Sequence, residues 1–193
     1  CAAEPTRLIG FGSVPLQDTQ RAVAQLRHAV IDLGLAGIEI GSNAGHGRQL
    51  HDAALDPFFR AVEELDVPLF LHPGPLDMLS RSGHNGLAFA LARPIETELA
   101  IGALVHGGVL EKHPRLRICV SHAGAGVPAL AGRWHAGWQR RTPGVRADSV
   151  DPRVLLARLW VDTLTYDANV LPLAVRTFGS DHLVLGTDYP FMA

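Results

Sequence analysis

The sequence predicts an α/β protein built on a parallel sheet, and three observations carry that prediction. Short apolar runs bounded by Gly, Pro or polar residues recur six times along the chain. Helical patterns lie between them, and strict alternation of strand and helix implies right-handed crossovers in a parallel sheet. An eight-unit (β/α)8 TIM barrel has about 250 residues, or roughly 31 per unit. At that rate the 193 residues hold about six units, matching the six strands. The expected architecture is therefore three quarters of a barrel in one domain over 1–193, with an open α/β sheet as the alternative.

Each element has its own local warrant. The first strand is expected over 8–14. Asp18 can cap a helix that runs to about Leu33, and Gly34 can end it. The second strand covers 37–41, and the glycine-rich segment 41–48 that follows has no Walker lysine, so it reads as a βα loop. Asp56-Pro57 supplies a cap and a first-turn proline for a helix over 58–65. The third strand is expected over 68–72. Arg93-Pro94 then opens a helix to about Leu110, with Gly107-Gly108 inside its last turns. A fourth strand over 116–121 leads to a helix over 126–138. From Trp138 to Val154, Arg, Pro, Gly and Asp dominate, so an exposed loop is expected. A fifth strand (159–163), a helix over 168–178 with Pro172 in its first turn, and a sixth strand (183–187) complete the pattern. No G-x-G-x-x-G follows a strand, which weakens a dinucleotide-binding sheet. The chain begins at Cys1, already reads as a strand soon after Arg7, and ends five residues beyond Asp188. A fragment or processed chain of a longer protein is expected, with a trimmed small domain as the alternative.

Composition excludes several classes. Nineteen acids against 17 bases give a net charge of -2, so no basic field exists to hold nucleic acid or an anionic membrane. No apolar run approaches the roughly 18 residues of a spanning helix. A chain that is 47% hydrophobic and 19% charged is too apolar to stay disordered. Two cysteines, Cys1 and Cys119, rule out a disulfide-stapled scaffold and make a reducing cytoplasm the default location. Lys112 is the sole lysine and the other 16 bases are arginine, the residue suited to gripping anions through paired hydrogen bonds.

Three strands end on a residue able to bind metal or move protons: His72, His122 and Asp188. In a parallel barrel all strand C-termini share the face that carries the active site. These residues, 50 and 66 positions apart, should converge there. Taken singly, each could simply cap a turn. Together, two histidines and an aspartate suit a divalent transition metal, or a metal with one histidine acting as base. The other eight histidines show no comparable spacing; His28, His113 and His182 read as surface or packing residues. Cys119, inside an apolar strand, reads as packing rather than as a nucleophile.

A set of motifs adds to this. They are the segment from Gly10 to Gln17, Ile38-Glu39-Ile40-Gly41-Ser42-Asn43, Leu55-Asp56-Pro57-Phe58, Phe70-Leu71-His72-Pro73, Glu96-Thr97, the segment from Gly107 to Glu111, Ser121-His122-Ala123-Gly124, Gly132-Arg133, and Gly186-Thr187-Asp188-Tyr189-Pro190-Phe191. In this order and spacing they resemble the amidohydrolase-related family that includes 2-amino-3-carboxymuconate-6-semialdehyde decarboxylase, over essentially the whole chain. The resemblance implies a metal-dependent hydrolase-type TIM barrel, of which this chain lacks the first two strands and the last helix. It implies His72 and Asp188 as metal ligands, and His122 as the catalytic histidine beside a metal-bound water. Asp188 shares the catalytic role through proton shuttling. It further implies Arg133 as a carboxylate-binding residue serving a neighbouring subunit, Arg141 as a second one within the same subunit, and Phe191 as an aromatic lining the pocket. A helix-surface charge is the alternative for Arg133, and Arg140 could take the place of Arg141. The implied cofactor is one divalent metal, zinc first and manganese second, and the implied assembly is a homodimer. The family's first-strand His-x-His pair is absent from this chain. The implied activity is metal-dependent decarboxylation of a small conjugated or aromatic carboxylic acid. A hydrolase using the same residues, and a non-catalytic incomplete barrel, are the alternatives.

Overall fold

A computed structural model describes Cys1 and residues 3–191 of the chain. Six strands, β1 (Phe11–Ser13), β2 (Gly37–Ile40), β3 (Leu69–Leu71), β4 (Ile118–Val120), β5 (Trp160–Asp162) and β6 (Leu183–Val184), form one parallel sheet in strictly sequential order. A doubly wound sheet reverses its strand order at a switch point. This one never does, so the winding is that of a barrel wall. The six expected strands are all present but shorter. At the two edges the reason is pairing: β1 bonds only β2, through Phe11 to Ser13, and β6 bonds only β5. Leu8, Ile9 and Leu185, expected as strand residues, are 54%, 73% and 86% exposed.

Eight α-helices connect the strands: α1 (Thr19–Arg27), α2 (Asp56–Leu65), α3 (Leu79–Ser82), α4 (Arg93–His106), α5 (Val109–Lys112), α6 (Val127–Gln139), α7 (Pro152–Leu156) and α8 (Leu171–Phe178). Asp18 caps α1 as expected, its carboxylate accepting from the Arg21 N–H at 3.1 Å. The helix continues into a wider π-helical turn, His28–Asp32, and the left-handed Gly34 follows. Asp56 is not the cap of α2. A 3-10 turn, Ala53–Leu55, capped by Asp52, feeds straight into the helix, leaving Asp56 in the first turn. Gly107-Gly108 does not continue α4: Gly108 is left-handed and α5 starts a new helix. Inside the expected exposed loop, Asp151 caps the short α7, repeating the Asp-Pro start signal.

The sheet has two unlike faces. Ile38, Ile40, Leu69, Leu71, Ile118, Val120 and Val161 are buried, and they pack in one core with Phe58 and Phe59 of α2, Ile101 and Leu104 of α4, and Phe178 of α8. Truncating Phe58 to alanine in such a core costs about 3–5 kcal/mol. The opposite face carries Ser13, Glu39, Phe70 and Cys119, which lie in register across β1 to β4 and keep partial exposure. These residues face what is the interior of a barrel, and the strand C-termini open at one end of it.

Candidate active site

His72 follows β3 directly, and its N–H donates to the Ile40 carbonyl at 3.0 Å, extending the sheet by one rung. His122 follows β4 by one residue; the Ser121 N–H donates to the Leu71 carbonyl at 3.0 Å. His122 and Ala123 both hold left-handed φ angles, 56° and 52°. Non-glycine residues need external restraint in that region. It comes from Asp162 at the end of β5, which is 6% exposed and accepts from the Ala123 N–H at 2.9 Å and the Leu164 N–H at 3.1 Å. Asp188, four residues beyond β6, is also left-handed.

These placements converge. One ligand atom from each of His72, His122 and Asp188 lies within 4.8 Å of the others. The Nε2 atoms of His72 and His122 are each 3.8 Å from an Asp188 carboxylate oxygen, and the two rings are 5.3 Å apart. At 3.8 Å these groups do not satisfy one another by hydrogen bonding. Three half-buried donors that converge without pairing fit a divalent metal, and two imidazoles with one carboxylate are a donor set for zinc or manganese. Burial holds the His122 pKa below the ordinary histidine value, partly opposed by the Asp162 carboxylate. The imidazole is therefore neutral near pH 7 and able to accept a proton. Tyr166 completes the polar end, its hydroxyl donating to Asp188 Oδ2 at 3.4 Å. Burial first, and then the Asp188 charge, push the Tyr166 phenol above its usual range, so it stays protonated.

The three residues form one end of a cavity of about 620 Å³ whose other walls include Phe89, Arg93, Tyr166 and Phe191. Phe191 lines this cavity, and Arg133 and Arg141 lie outside it. Arg133 is exposed on α6, in a separate cleft with His106 and Trp134. Arg141, expected to reach substrate in the same subunit, lies over the Trp138 ring at 5.7 Å and donates to the Arg146 carbonyl at 3.2 Å. The cause is local: α6 ends at Gln139 and Arg141 turns the chain through a left-handed φ of 49°.

Several residues that sequence reasoning did not rank hold the site together. Glu96 is 1% exposed; it accepts from the Asn43 side chain at 3.3 Å and from the Asp77 N–H at 2.9 Å. Asn43 in turn donates to the Pro75 carbonyl, and Ser42 Oγ accepts from the Gly74 N–H. Those bonds tie the loops after β2 and β3 to α4. A buried glutamate in an apolar helix was the available signal. His113, as expected, is a packing residue, set between Asp56 at 2.9 Å and Glu63 at 3.2 Å. The Cys119 thiol is pushed up to about 12 by burial and by Asp162, which agrees with packing rather than nucleophilic chemistry.

Comparison with known proteins accords with this geometry. The family profile described as Amidohydrolase matches residues 1–193, and the chain belongs to that family. It is 38% identical over 189 residues to the 2-amino-3-carboxymuconate-6-semialdehyde decarboxylase of Dictyostelium discoideum, covering 97% of this chain and 52% of that protein. The crystal structure of 2,6-dihydroxybenzoate decarboxylase complexed with 2,6-dihydroxybenzoate matches with a TM-score of 0.86 at 30% identity, over 99% of this chain and 63% of that one. A dihydroxybenzoic acid decarboxylase from Polaromonas, with bound manganese and the inhibitor 2-nitroresorcinol, matches with a TM-score of 0.81 at 27% identity, over 98% and 61%. The fold is that of an amidohydrolase-type barrel, and the chain spans between 52% and 63% of these relatives. No helix among the described residues is long and apolar enough to cross a membrane.

Proposed function

We propose that the protein carrying this chain is a metal-dependent decarboxylase of a small aromatic or conjugated carboxylic acid. One observation carries the reading: His72, His122 and Asp188 converge, too far apart to hydrogen-bond one another, at the end of a cavity with aromatic walls. The decarboxylase relatives support it. His72 and Asp188 would hold the metal, with zinc favoured by the donor set and manganese by the Polaromonas relative. When bound, the ion supplies Lewis acidity at that end of the cavity.

The chain's own residues do the rest. Phe89 and Phe191 offer ring faces that seat a planar substrate and keep water from it. In the reaction the bond between the substrate carbon and its carboxylate breaks. Carbon dioxide leaves, the electron pair stays on the carbon, and that carbon takes up a proton. Neutral His122 accepts and returns a proton at Nε2, and Asp188 lies 3.8 Å away to share it. Arg133 is assigned to a second copy of the chain, in a homodimer, because it is exposed and lies outside its own cavity. Arg141, held on Trp138, is left out of the substrate site. Two free cysteines suit a cytoplasmic protein.

The test is product analysis. The metal-loaded protein should release carbon dioxide from acids such as 2,6-dihydroxybenzoate, and His122→Ala should lose turnover by orders of magnitude while keeping its fold. A product that retains the carboxylate would move the assignment to a hydrolase. No turnover of any such acid by metal-loaded protein would leave a binding scaffold.

A further inference from the structure

Arg93 lines the same cavity as His72, His122 and Asp188, and among the described residues it has no partner of its own. It is half-buried, and among the described residues its guanidinium makes no hydrogen bond and has no carboxylate within 4.0 Å. Three other basic groups do have partners. Arg146 pairs with Glu111 at 3.0 Å, Lys112 with Asp56 at 2.6 Å, and Arg158 donates to the Leu110 and Pro114 carbonyls. A guanidinium that is partly desolvated and unpaired is unfavourable unless something arrives to neutralise it. Its charge is also close enough to be felt by both His122 and Tyr166.

The backbone explains how Arg93 comes to face the cavity. Pro94 has no N–H and its ring crowds the carbonyl four residues earlier. The helix answers with a wide π-helical turn, Ala88–Ala92, closed by a hydrogen bond from the Arg93 N–H to the Ala88 carbonyl, and then resumes as α4. Arg93-Pro94 opens α4, as the sequence suggested, but it does so directly from a π-helical turn rather than from a loop. Such wide turns are frequent at functional sites. This one presents Phe89, Ala90, Arg93 and Pro94 together as one wall of the cavity. Phe89 stands edge-on to Tyr166, ring centroids 5.8 Å apart, so an aromatic pair borders the cation.

We propose that Arg93 is the residue that binds the substrate's carboxylate, through paired hydrogen bonds from its guanidinium. A planar acid would lie between the Phe89–Tyr166 pair and Phe191, its carboxylate on Arg93 and its reacting carbon toward His122. Planar bidentate pairing is what arginine offers a carboxylate and lysine does not. This assignment rests on the decarboxylase reading for the identity of the ligand. It differs from the roles expected of Arg133 and Arg141, because of these three arginines only Arg93 lines the cavity that holds the catalytic residues.

The experiment compares 2,6-dihydroxybenzoate with resorcinol, the same ring without the carboxylate, by titration calorimetry on metal-loaded protein. The unaltered protein should bind the acid at least ten times more tightly than the diol. Arg93→Met should remove that preference, lowering acid affinity at least tenfold and leaving resorcinol affinity within twofold. Arg93→Lys should give an intermediate preference, and it serves as the readout if Arg93→Met fails to fold. Carbon dioxide release by each variant is measured alongside. If the preference survives both substitutions, Arg93 is not the carboxylate reader, and the decarboxylase reading stands or falls separately on turnover. If the unaltered protein binds the acid no more tightly than the diol, or binds neither, the cavity has no carboxylate subsite and the assignment is overturned.

Discussion

Replacing Asp162 by alanine should cost both stability and metal affinity, although this residue is not a proposed ligand. A single oxygen of its buried carboxylate accepts from the N–H groups of Ala123 and Leu164. Hydrogen bonds to a charged group contribute about 1.5–3 kcal/mol each, and the two share one acceptor, so about 3 kcal/mol is expected for the pair. For a protein of this size each kcal/mol moves the melting midpoint by about 2–4 °C, so a loss of roughly 6–12 °C should follow. Asp162 also holds His122 and Ala123 in left-handed conformations, so its removal should let His122 drift from Asp188. His122 is the third donor converging beside the two proposed ligands, and losing a group that orients such a residue typically costs about 10–100-fold in metal affinity or activity. Asp162→Asn keeps the accepting oxygen and should lose less than half of either quantity. Thermal melts and manganese titrations on the three proteins make the comparison. An Asp162→Ala protein that melts within 2 °C of the parent (a shift of about 1 kcal/mol or less), or an asparagine variant as damaged as the alanine one, would refute the reasoning.

Three further outcomes are expected. Gly186→Ala should be destabilised by about 1–3 kcal/mol in urea unfolding, as overpacked sites are. The added Cβ would sit 2.6 Å from the Asp162 Cβ and 2.7 Å from its carboxylate, which is tethered and cannot yield; a neutral effect would show that it can. Cys119, its thiol raised to about 12, should resist iodoacetamide at pH 8 while exposed Cys1 is alkylated, as peptide mapping would show. The hydrogen bond from Lys112, with help from His113 and Arg60 and against the opposing effect of burial, lowers Asp56 from 3.8 to about 2. A depressed carboxylate contributes stability that is present above its unfolded value and lost as pH falls through its folded one. The stability gap between the parent and Asp56→Asn should therefore be full above about pH 4 and close toward pH 2; a gap independent of pH would contradict it.

What the sequence determined by itself was set by short-range chemistry. Short runs of five to seven mostly apolar residues, bounded by Gly, Pro or polar residues, marked all six strands, and Asp18 marked the start of α1, because capping needs only the N–H three residues on. His72, His122 and Asp188 were legible because a parallel barrel sends every strand C-terminus to one face, so position along the chain translates into place. Strand length was not legible at the edges, since Leu8, Ile9 and Leu185 are apolar but have no neighbour to pair with. Asp56 looked like a cap and became an ion-pair centre, because the partner that claims it, Lys112, lies 56 residues further on and is brought near only by packing. Arg93 was hidden for a related reason. Its direction depends on whether the helix at Pro94 follows a loop or a π-helical turn, and that is settled by the Ala88 carbonyl and by what the helix packs against. Asp162 drew no reading from the sequence and Glu96 only a place in a motif; their roles emerge where the fold closes loops onto them. Patterns of period two and 3.6 name elements; only the tertiary structure says which polar groups lose their water together, and that loss is what turns a side chain into a site.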